Sequence, residues 1–498
     1  MLRLTISILA LFVSALSFGQ TDFDKFRKRA NSNFEKFKKQ KQDDLKEYLE
    51  RINSEYSEFM RKSWPEYKSL PGVPSNPKPK PSKPIVVDPG EGFTNDPVPF
   101  SEIIPLSTVP SQPQPIVPIP EPYEMGGPFK ETPITPEPKK DSFKFNFYGE
   151  TYEIPAINLN EFKLRDVSEN SVADGWYYLT HKDNLELIGY CIGYRDKLNL
   201  NDWGYFRFLE TMTSQLLPGK QNEARLLQMF ILTQSGYKIR IGRQNGKLIL
   251  LVPSSEIIYK YPYLVIDGMK FYNTDTTNGN SPINIFNHQF PKEQVFTLYM
   301  NELPRLTEDM TARRHFQSKQ NNYLSADISV NKNLIDFMND YPITSQWDLY
   351  SKASLSPEVK TQLYGPLKSS LNGKNNIEAA NDLLQFVQTA FEYKTDGEQF
   401  GYERPFFADE NLFYPYNDCE DRAILYSILV KDLLNLEVVL LHYPEHLATA
   451  VYFPENVPGD YVEVDGKRFI VCDPTYINSR IGQCMPQYKN TPAKVVKI

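Results

Sequence analysis

Cysteine is scarce in this sequence, basic charge is in deficit, and long apolar runs are missing after the first twenty residues. Four cysteines in 498 residues, Cys191, Cys419, Cys472 and Cys484, are too few for a disulfide framework. A formal net charge of −7 supplies no basic field for phosphates and gives no reason to expect nucleic acid as a partner. No later stretch approaches the ~20 apolar residues that a membrane span needs. Metal ligands are also thinly placed. His442 and His446 stand four apart, but Pro444 lies between them and no ligand-rich partner follows, so no metal and no cofactor are expected. His288 and His315 sit in polar context and read as surface residues.

The length suggests about three folded units. Residues 1–19 have a basic Arg3, an apolar run and small residues at Ser17 and Gly19, the layout of a cleavable signal peptide cut after Gly19. No cysteine stands at the cut, so a lipid anchor is not expected. The mature chain is then exported, periplasmic or extracellular, without a membrane span. Residues 20–68 form a charged amphipathic helical segment. Its stripe runs Phe23, Phe26, Ala30, Phe34, Phe37 and then Leu45, Tyr48, Leu49, Ile52, Tyr56, Phe59, Met60. Three readings stand for that stripe: packing on the chain's own body, self-association, or attachment to an envelope partner. Residues 69–142 are proline-rich, which removes N–H donors and fixes φ, so they read as a linker and not a domain.

Folded texture resumes at 143. Lys144–Ile154 alternates around Gly149 and predicts a hairpin. Helical periodicity covers Tyr205–Leu217 and Ala224–Thr233, with strands at Tyr237–Ile241, Leu248–Val252 and Tyr263–Tyr272, the last bent at Asp267-Gly268. Strands are also expected at Val295–Met300 and Tyr323–Val330, and a helix from Leu334.

Near the end, Asp418 is a candidate N-cap and Cys419 opens a helix that is apolar nearly all round, from Ala423 to Leu434. A cysteine at a helix N-terminus sits where the dipole favours a thiolate. Strands follow at Val438–His442, His446–Phe453, Tyr461–Val464 and Arg468–Cys472, with Asp465-Gly466 as a turn. His446 opens one strand and Asp473 ends another, and each step from Cys419 to His446 to Asp473 spans 27 residues. A thiol, an imidazole and a carboxylate on these elements can converge as nucleophile, base and orienter.

The middle region carries a similar spacing. Asn222-Glu-Ala-Arg225 aligns with Cys419-Glu-Asp-Arg422, Lys247 with His446, and Ile266-Asp-Gly…Asp275 with Val464-Asp-Gly…Asp473. Residues 143–290 are therefore expected to hold a degenerate copy of the unit at 291–498, with Asn222, Lys247 and Asp275 in place of the trio. Asn is no nucleophile, so the first copy would be catalytically dead. Cys191 reads as core. Cys472 and Cys484 are either a disulfide or two buried thiols, the thiol state being preferred.

Asn-Asp-Cys419-Glu-Asp-Arg-Ala, His446-Leu-Ala-Thr-Ala-Val and Val-Cys-Asp473-Pro-Thr-Tyr resemble the Cys, His and Asp motifs of the transglutaminase-like superfamily. The match covers about residues 375–480, with Asn417 where many members have Gly. The resemblance implies a papain-like α+β fold and a protein or peptide substrate. The function implied is that of an exported cysteine hydrolase or acyltransferase on amide or peptide bonds, with peptidase or amidase preferred. Oxyanion support is expected from the Cys419 N–H, with Tyr416 as the side-chain candidate. The alternative is a non-catalytic envelope or extracellular binding module on the same fold.

Overall fold

The computed structural model of the chain describes residues 50–74, 84–87, 93–107, 142–180, 185–275, 281–290 and 293–498, with isolated positions at 36, 40 and 47. The expected signal segment and the front part of the helical segment lie outside the described residues. The architecture is mixed α+β, and no helix among the described residues is long and apolar enough to cross a membrane.

Residues 50–60 are helical (α1). The described end of the predicted stripe faces the chain's own body: Tyr56 and Met60 are buried, and the Tyr56 ring lies 4.9 Å from those of Trp176 and Phe286. Phe59 stacks on His288 at 4.0 Å, and Asn53 and Gln234 exchange buried amide hydrogen bonds of 3.0 and 3.3 Å. Strand β1 (Glu66–Tyr67) follows. The described parts of the proline-rich run lie as a strap against both halves. Leu70 bridges Tyr263, Val86 bridges Ile477, Pro97 bridges Tyr461, and β2 (Phe100–Ile104) joins a sheet edge. The expected linker thus contributes an edge strand.

The predicted hairpin is present as β3 (Ser142–Phe147) and β4 (Glu150–Pro155). Four helices follow: α2 (Glu169–Thr180), α3 (Leu185–Lys197), α4 (Asp202–Leu216) and α5 (Gln221–Gln234). Strands β5 (Arg240–Gln244), β6 (Lys247–Pro253), β7 (Tyr263–Ile266), β8 (Met269–Asn273) and β9 (Ile283–Phe286) complete a sheet of order β1-β9-β5-β6-β8-β7. Helix α5 packs on β5 and β6. The strand expected at Val295–Met300 is not formed beyond a single bridge of Phe296 to Ser254. Side chains take its N–H groups instead: Thr297 donates to Asp202 Oδ2 at 2.8 Å and Tyr299 to Thr297 Oγ1 at 3.2 Å.

The C-terminal half opens with the pair β10 (Arg314–Gln317) and β11 (Ser325–Ile328), then α6 (Lys332–Asn339), α7 (Trp347–Lys352), α8 (Pro357–Leu371) and α9 (Asn376–Thr389). A capping box starts α9: Glu378 N–H donates to Asn375 Oδ1 at 2.9 Å and Asn375 N–H to Glu378 Oε2 at 3.1 Å. The short elements β12 (Glu392–Tyr393), α10 (Asp396–Gln399), α11 (Glu410–Phe413) and β13 (Tyr416–Asn417) lead into α12 (Cys419–Leu434). Strands β14 (Val438–Tyr443), β15 (His446–Tyr452), β16 (Tyr461–Val464), β17 (Lys467–Cys472) and β18 (Ala493–Lys497) form the second sheet, ordered β2-β18-β14-β15-β17-β16.

Both sheets therefore share one strand order behind one buried helix. In both, the third and fourth strands meet at an Asp-Gly turn with left-handed residues: Asp267 and Gly268 (φ 50° and 77°), Asp465 and Gly466 (φ 52° and 74°). The edges differ, since β1 is antiparallel to β9 and β2 is parallel to β18. Helix α12 packs on β14 and β15 and is buried from Cys419 to Val430. Each fully buried Ile or Leu there contributes about 1.5–3 kcal/mol of transfer free energy. The outer face of the second sheet is closed by Tyr443, Val462, Tyr488 and the strap residue Val98.

Docking of α1 makes a measurable prediction. Tyr56→Ala should lower stability by about 3 kcal/mol, read from the urea midpoint. A loss below about 0.5 kcal/mol, as at exposed sites, would show that the helix is not held.

Candidate functional site

The first turn of α12 is where the chain collects its chemistry. Asp418 donates its N–H to Asp421 Oδ2 at 3.1 Å, and Asp421 Oδ1 accepts the Phe406 N–H at 3.1 Å. The helix start is thereby tied to the loop that precedes it. Cys419 is the first helical residue and is wholly buried. Its backbone N–H belongs to the first-turn donors that no intrahelical carbonyl takes. Asn417 does not adopt a left-handed backbone, so no glycine is required there. Its amide donates to Asn411 Oδ1 at 2.6 Å.

His446 and Asp473 meet as the spacing predicts. His446 Nε2 and Asp473 Oδ2 are 2.8 Å apart, with both residues buried. Asp473 is held on its other sides: Oδ1 accepts the Thr475 N–H at 2.9 Å, and its carbonyl accepts the Gln388 amide at 3.2 Å. The imidazole is stacked on Tyr488 (5.0 Å, 10° between planes), which stacks on Tyr443. Nε2 is committed to Asp473. Burial alone would lower the imidazole, but the Asp473 charge and hydrogen bond, joined by a hydrogen bond with Cys419, lift it to about 10. Thiol, imidazole and carboxylate thus form one connected group. The sulfur has a second partner, since Cys419 Sγ donates to Glu420 Oε2 at 3.0 Å.

His442 does not share the site. It pairs with Leu447 while Tyr443 pairs with His446, so the two histidines face opposite sides of the sheet, and His442 packs edge-on to Trp347 at 5.6 Å. His315 is exposed beside Asp327, and His288 is half-buried under Phe59. Cys191, Cys472 and Cys484 are buried free thiols, and burial pushes Cys472 and Cys484 up to about 12. Among the described residues, two groups of donors have ligand-capable geometry, Asp418–Cys419–Glu420 and Asp396–Glu403–Glu420, with ligand atoms within 4.8 Å of one another.

Tyr416 lies on β13, three residues before the cysteine, with Lys394 Nζ 5.0 Å from its ring centre. Tyr393 is the tyrosine that senses the thiol. Burial raises its phenol, and the negative groups Cys419 and Asp418 raise it further against Arg422. Sequence reasoning missed it, because only the parallel pairing of Tyr393 with Asn417 brings it near. Gln388 was missed too. From 85 residues away its Nε2 donates to Asp473 O, and also to Tyr476 O (2.8 Å) and to Ser479 O and Oγ (3.2 and 3.1 Å). Arg422, wholly buried, donates to Gln388 O at 3.1 Å and Phe391 O at 2.9 Å.

At the first sheet, Asn222 Oδ1 accepts the Leu248 N–H at 2.9 Å, and Lys247 is exposed. Asp275 pairs with Arg225, which also holds Glu210 and Gln228 at 2.8 Å. The three expected positions gather around the helix start, but the carboxylate is taken by arginine. Compared with known proteins, the chain matches no family model, no curated protein and no solved structure.

The raised imidazole fixes a pH dependence. A histidine at about 10 when folded and ~6.5 when unfolded stabilises the fold fully below the unfolded value and loses that contribution as pH rises through about 10. The stability difference between wild type and Asp473→Asn, from urea unfolding, should be largest at about pH 6 and shrink towards pH 10. A difference that does not vary with pH would exclude a protonated His446–Asp473 pair.

Proposed function

We propose that the chain is a cysteine hydrolase or acyltransferase of transglutaminase-like type, acting on amide or peptide bonds of protein or peptide substrates. The observation that carries this is the buried His446–Asp473 pair at 2.8 Å, with Cys419 at a helix N-terminus interacting with the same imidazole. In the proposed reaction the Cys419 thiolate, paired with the His446 imidazolium, attacks the carbonyl carbon. The oxyanion faces the Cys419 N–H, and His446 gives its proton to the leaving amine. The resulting thioester passes to water or to an amine, with the now neutral His446 as base. Asp473 holds the imidazole orientation and offsets its charge.

The same reading takes the two sheets as two copies of one papain-like unit, supported by the common strand order and by matched helix, turn and site positions. The first copy then retains the fold without the chemistry. Export rests on the layout of residues 1–19. For the front segment, docking of Tyr56 and Phe59 favours internal packing over an envelope partner or self-association.

One observation favours the binding-module alternative: Cys419 has no exposed surface. Substrate entry therefore requires residues over the sulfur to move. Peptide and amide substrates, including peptidoglycan fragments, should be turned over by the wild type. Cys419→Ala and His446→Ala should each lose on the order of 10³-fold or more in kcat. Asn222→Ala and Lys247→Ala should leave turnover unchanged. Activity that persists in Cys419→Ala would remove the enzyme reading. A Cys419 that alkylates no faster than free cysteine near neutral pH would favour the binding module.

A further inference from the structure

Asp473 fixes one nitrogen of the His446 imidazole, and a second element sets the plane of the ring. Tyr488 is buried and stacks on the imidazole with 5.0 Å between centres and 10° between planes. It ends the short 3₁₀ turn Pro486–Tyr488, where its N–H donates to Met485 O at 2.9 Å. A ring in parallel contact opposes rotation of the imidazole about Cβ–Cγ, because turning drives the imidazole edge into its neighbour. Nε2 then stays in line with Asp473 Oδ2.

The turn is anchored on both sides by one buried carboxylate. Asp460 Oδ2 accepts the Cys484 N–H at 2.9 Å ahead of Tyr488 and lies 3.4 Å from Lys489 Nζ just after it. The other oxygen faces the strap: Oδ1 accepts the Thr94 hydroxyl and, at 3.4 Å, the Asp96 N–H. Lys489 Nζ also donates to Thr94 Oγ1 at 2.6 Å, and Asn95 Oδ1 accepts the Gly459 N–H at 3.3 Å. Burial of this carboxylate is offset by donors from two separate segments, so loss of one segment weakens the hold on the other. The backbone is shaped for the approach. Gly459 and Gly482 have φ of 132° and 88°, and a Cβ on Gly459 would run into Gly482 Cα. Glycine at both positions lets Asp460 come in under the turn.

We propose that Tyr488 is a positioning residue for His446, and that Asp460 holds it there by joining its turn to Thr94 and Asp96 of the strap. The inference rests on the reading of Cys419, His446 and Asp473 as the reacting group. The proline-rich segment then serves the geometry of the reaction as well as the edge of the sheet.

The probe is p-nitrophenyl acetate, offered to the full chain. The Cys419 thiolate takes the acetyl group, p-nitrophenolate leaves with the electron pair of the broken C–O bond, and water hydrolyses the thioester with His446 as base. Tyr488→Leu removes the ring and should lower kcat about tenfold with KM unchanged. Tyr488→Phe keeps the ring and should restore kcat. Thr94→Val removes one donor at an exposed position and should lower kcat about threefold, and Thr94→Ser should restore it. The buried Cys191 and Cys472 report the fold by their inertness to iodoacetamide. If Tyr488→Leu exposes them, the Thr94 variants decide alone. A wild-type kcat in folded Tyr488→Leu or in Thr94→Val overturns the proposal. So does a loss that the conservative variant fails to restore, or exposure of the core thiols in both Tyr488→Leu and Thr94→Val. Failure of the underlying reading looks different: Cys419→Ala would then turn over the ester as fast as the wild type.

Discussion

A buried ion pair costs several kcal/mol of desolvation per charge unless every remaining lone pair and proton is met by a partner placed for it. The C-terminal half of this chain is arranged around meeting that condition for His446 and Asp473. Asp473 spends one oxygen on His446 and the other on the Thr475 N–H, and its carbonyl on Gln388. Gln388 can serve there only because α9 is fixed against α12. Arg422 provides that fixation through the carbonyls of Gln388 and Phe391, a cation placed at the end of α9 where the helix dipole favours it. Removing any one of these partners strands another. The pair, two helices and the loop after β17 therefore form one cooperative unit.

Behind the imidazole the constraint is steric. Tyr488 and Tyr443 stack on His446 from the outer face of the second sheet, and that face is closed by Val98 from the proline-rich strap. Ile477, four residues past Asp473, is held on both sides by the strap: its N–H donates to Ile85 O at 2.8 Å, and its carbonyl accepts the Val87 N–H at 2.9 Å. The segment that reads as a spacer therefore packs against the loop that carries the carboxylate. Burial of the site and packing of the strap belong to the same structural requirement.

What could be read from the sequence was what local chemistry marks. Asp418 before an apolar helix, the Asp465-Gly466 turn and Pro474 after the last strand each fix an element boundary, and Cys419, His446 and Asp473 stand on such boundaries. Residues whose role depends on distant pairing left no such mark. Gln388 acts across 85 residues, and Tyr393 matters only through its pairing with Asn417. Proline content does not exclude a strand inside the expected linker. Phe100–Ile104 contains no proline but lies between Pro99 and Pro105, so it can form a ladder, and it does so at a sheet edge where a flanking proline is tolerated. The helices α2 and α3 went unread because Trp176, Tyr177, Tyr178, Tyr190 and Tyr194 are middling helix formers whose helical state is set by packing.

The two sheets share strand order, yet their carboxylates have different fates, and the arginine three residues after Asn222 and after Cys419 marks the difference. Arg225 reaches Asp275, with Glu210 and Gln228 as further partners. Arg422 is turned instead to the carbonyls at the end of α9, and Asp473 is left to the imidazole. Asp275 responds accordingly. Burial of its side chain, 18% exposed, raises its carboxyl against the opposing charge of Arg225. Placing a thiol at position 222 would thus supply a nucleophile to a site whose carboxylate is already neutralised and whose base position, Lys247, points to solvent. The chemistry of this architecture depends on which cation captures the carboxylate as much as on the residue that opens the helix. Only the second sheet leaves its carboxylate to a group that can move a proton.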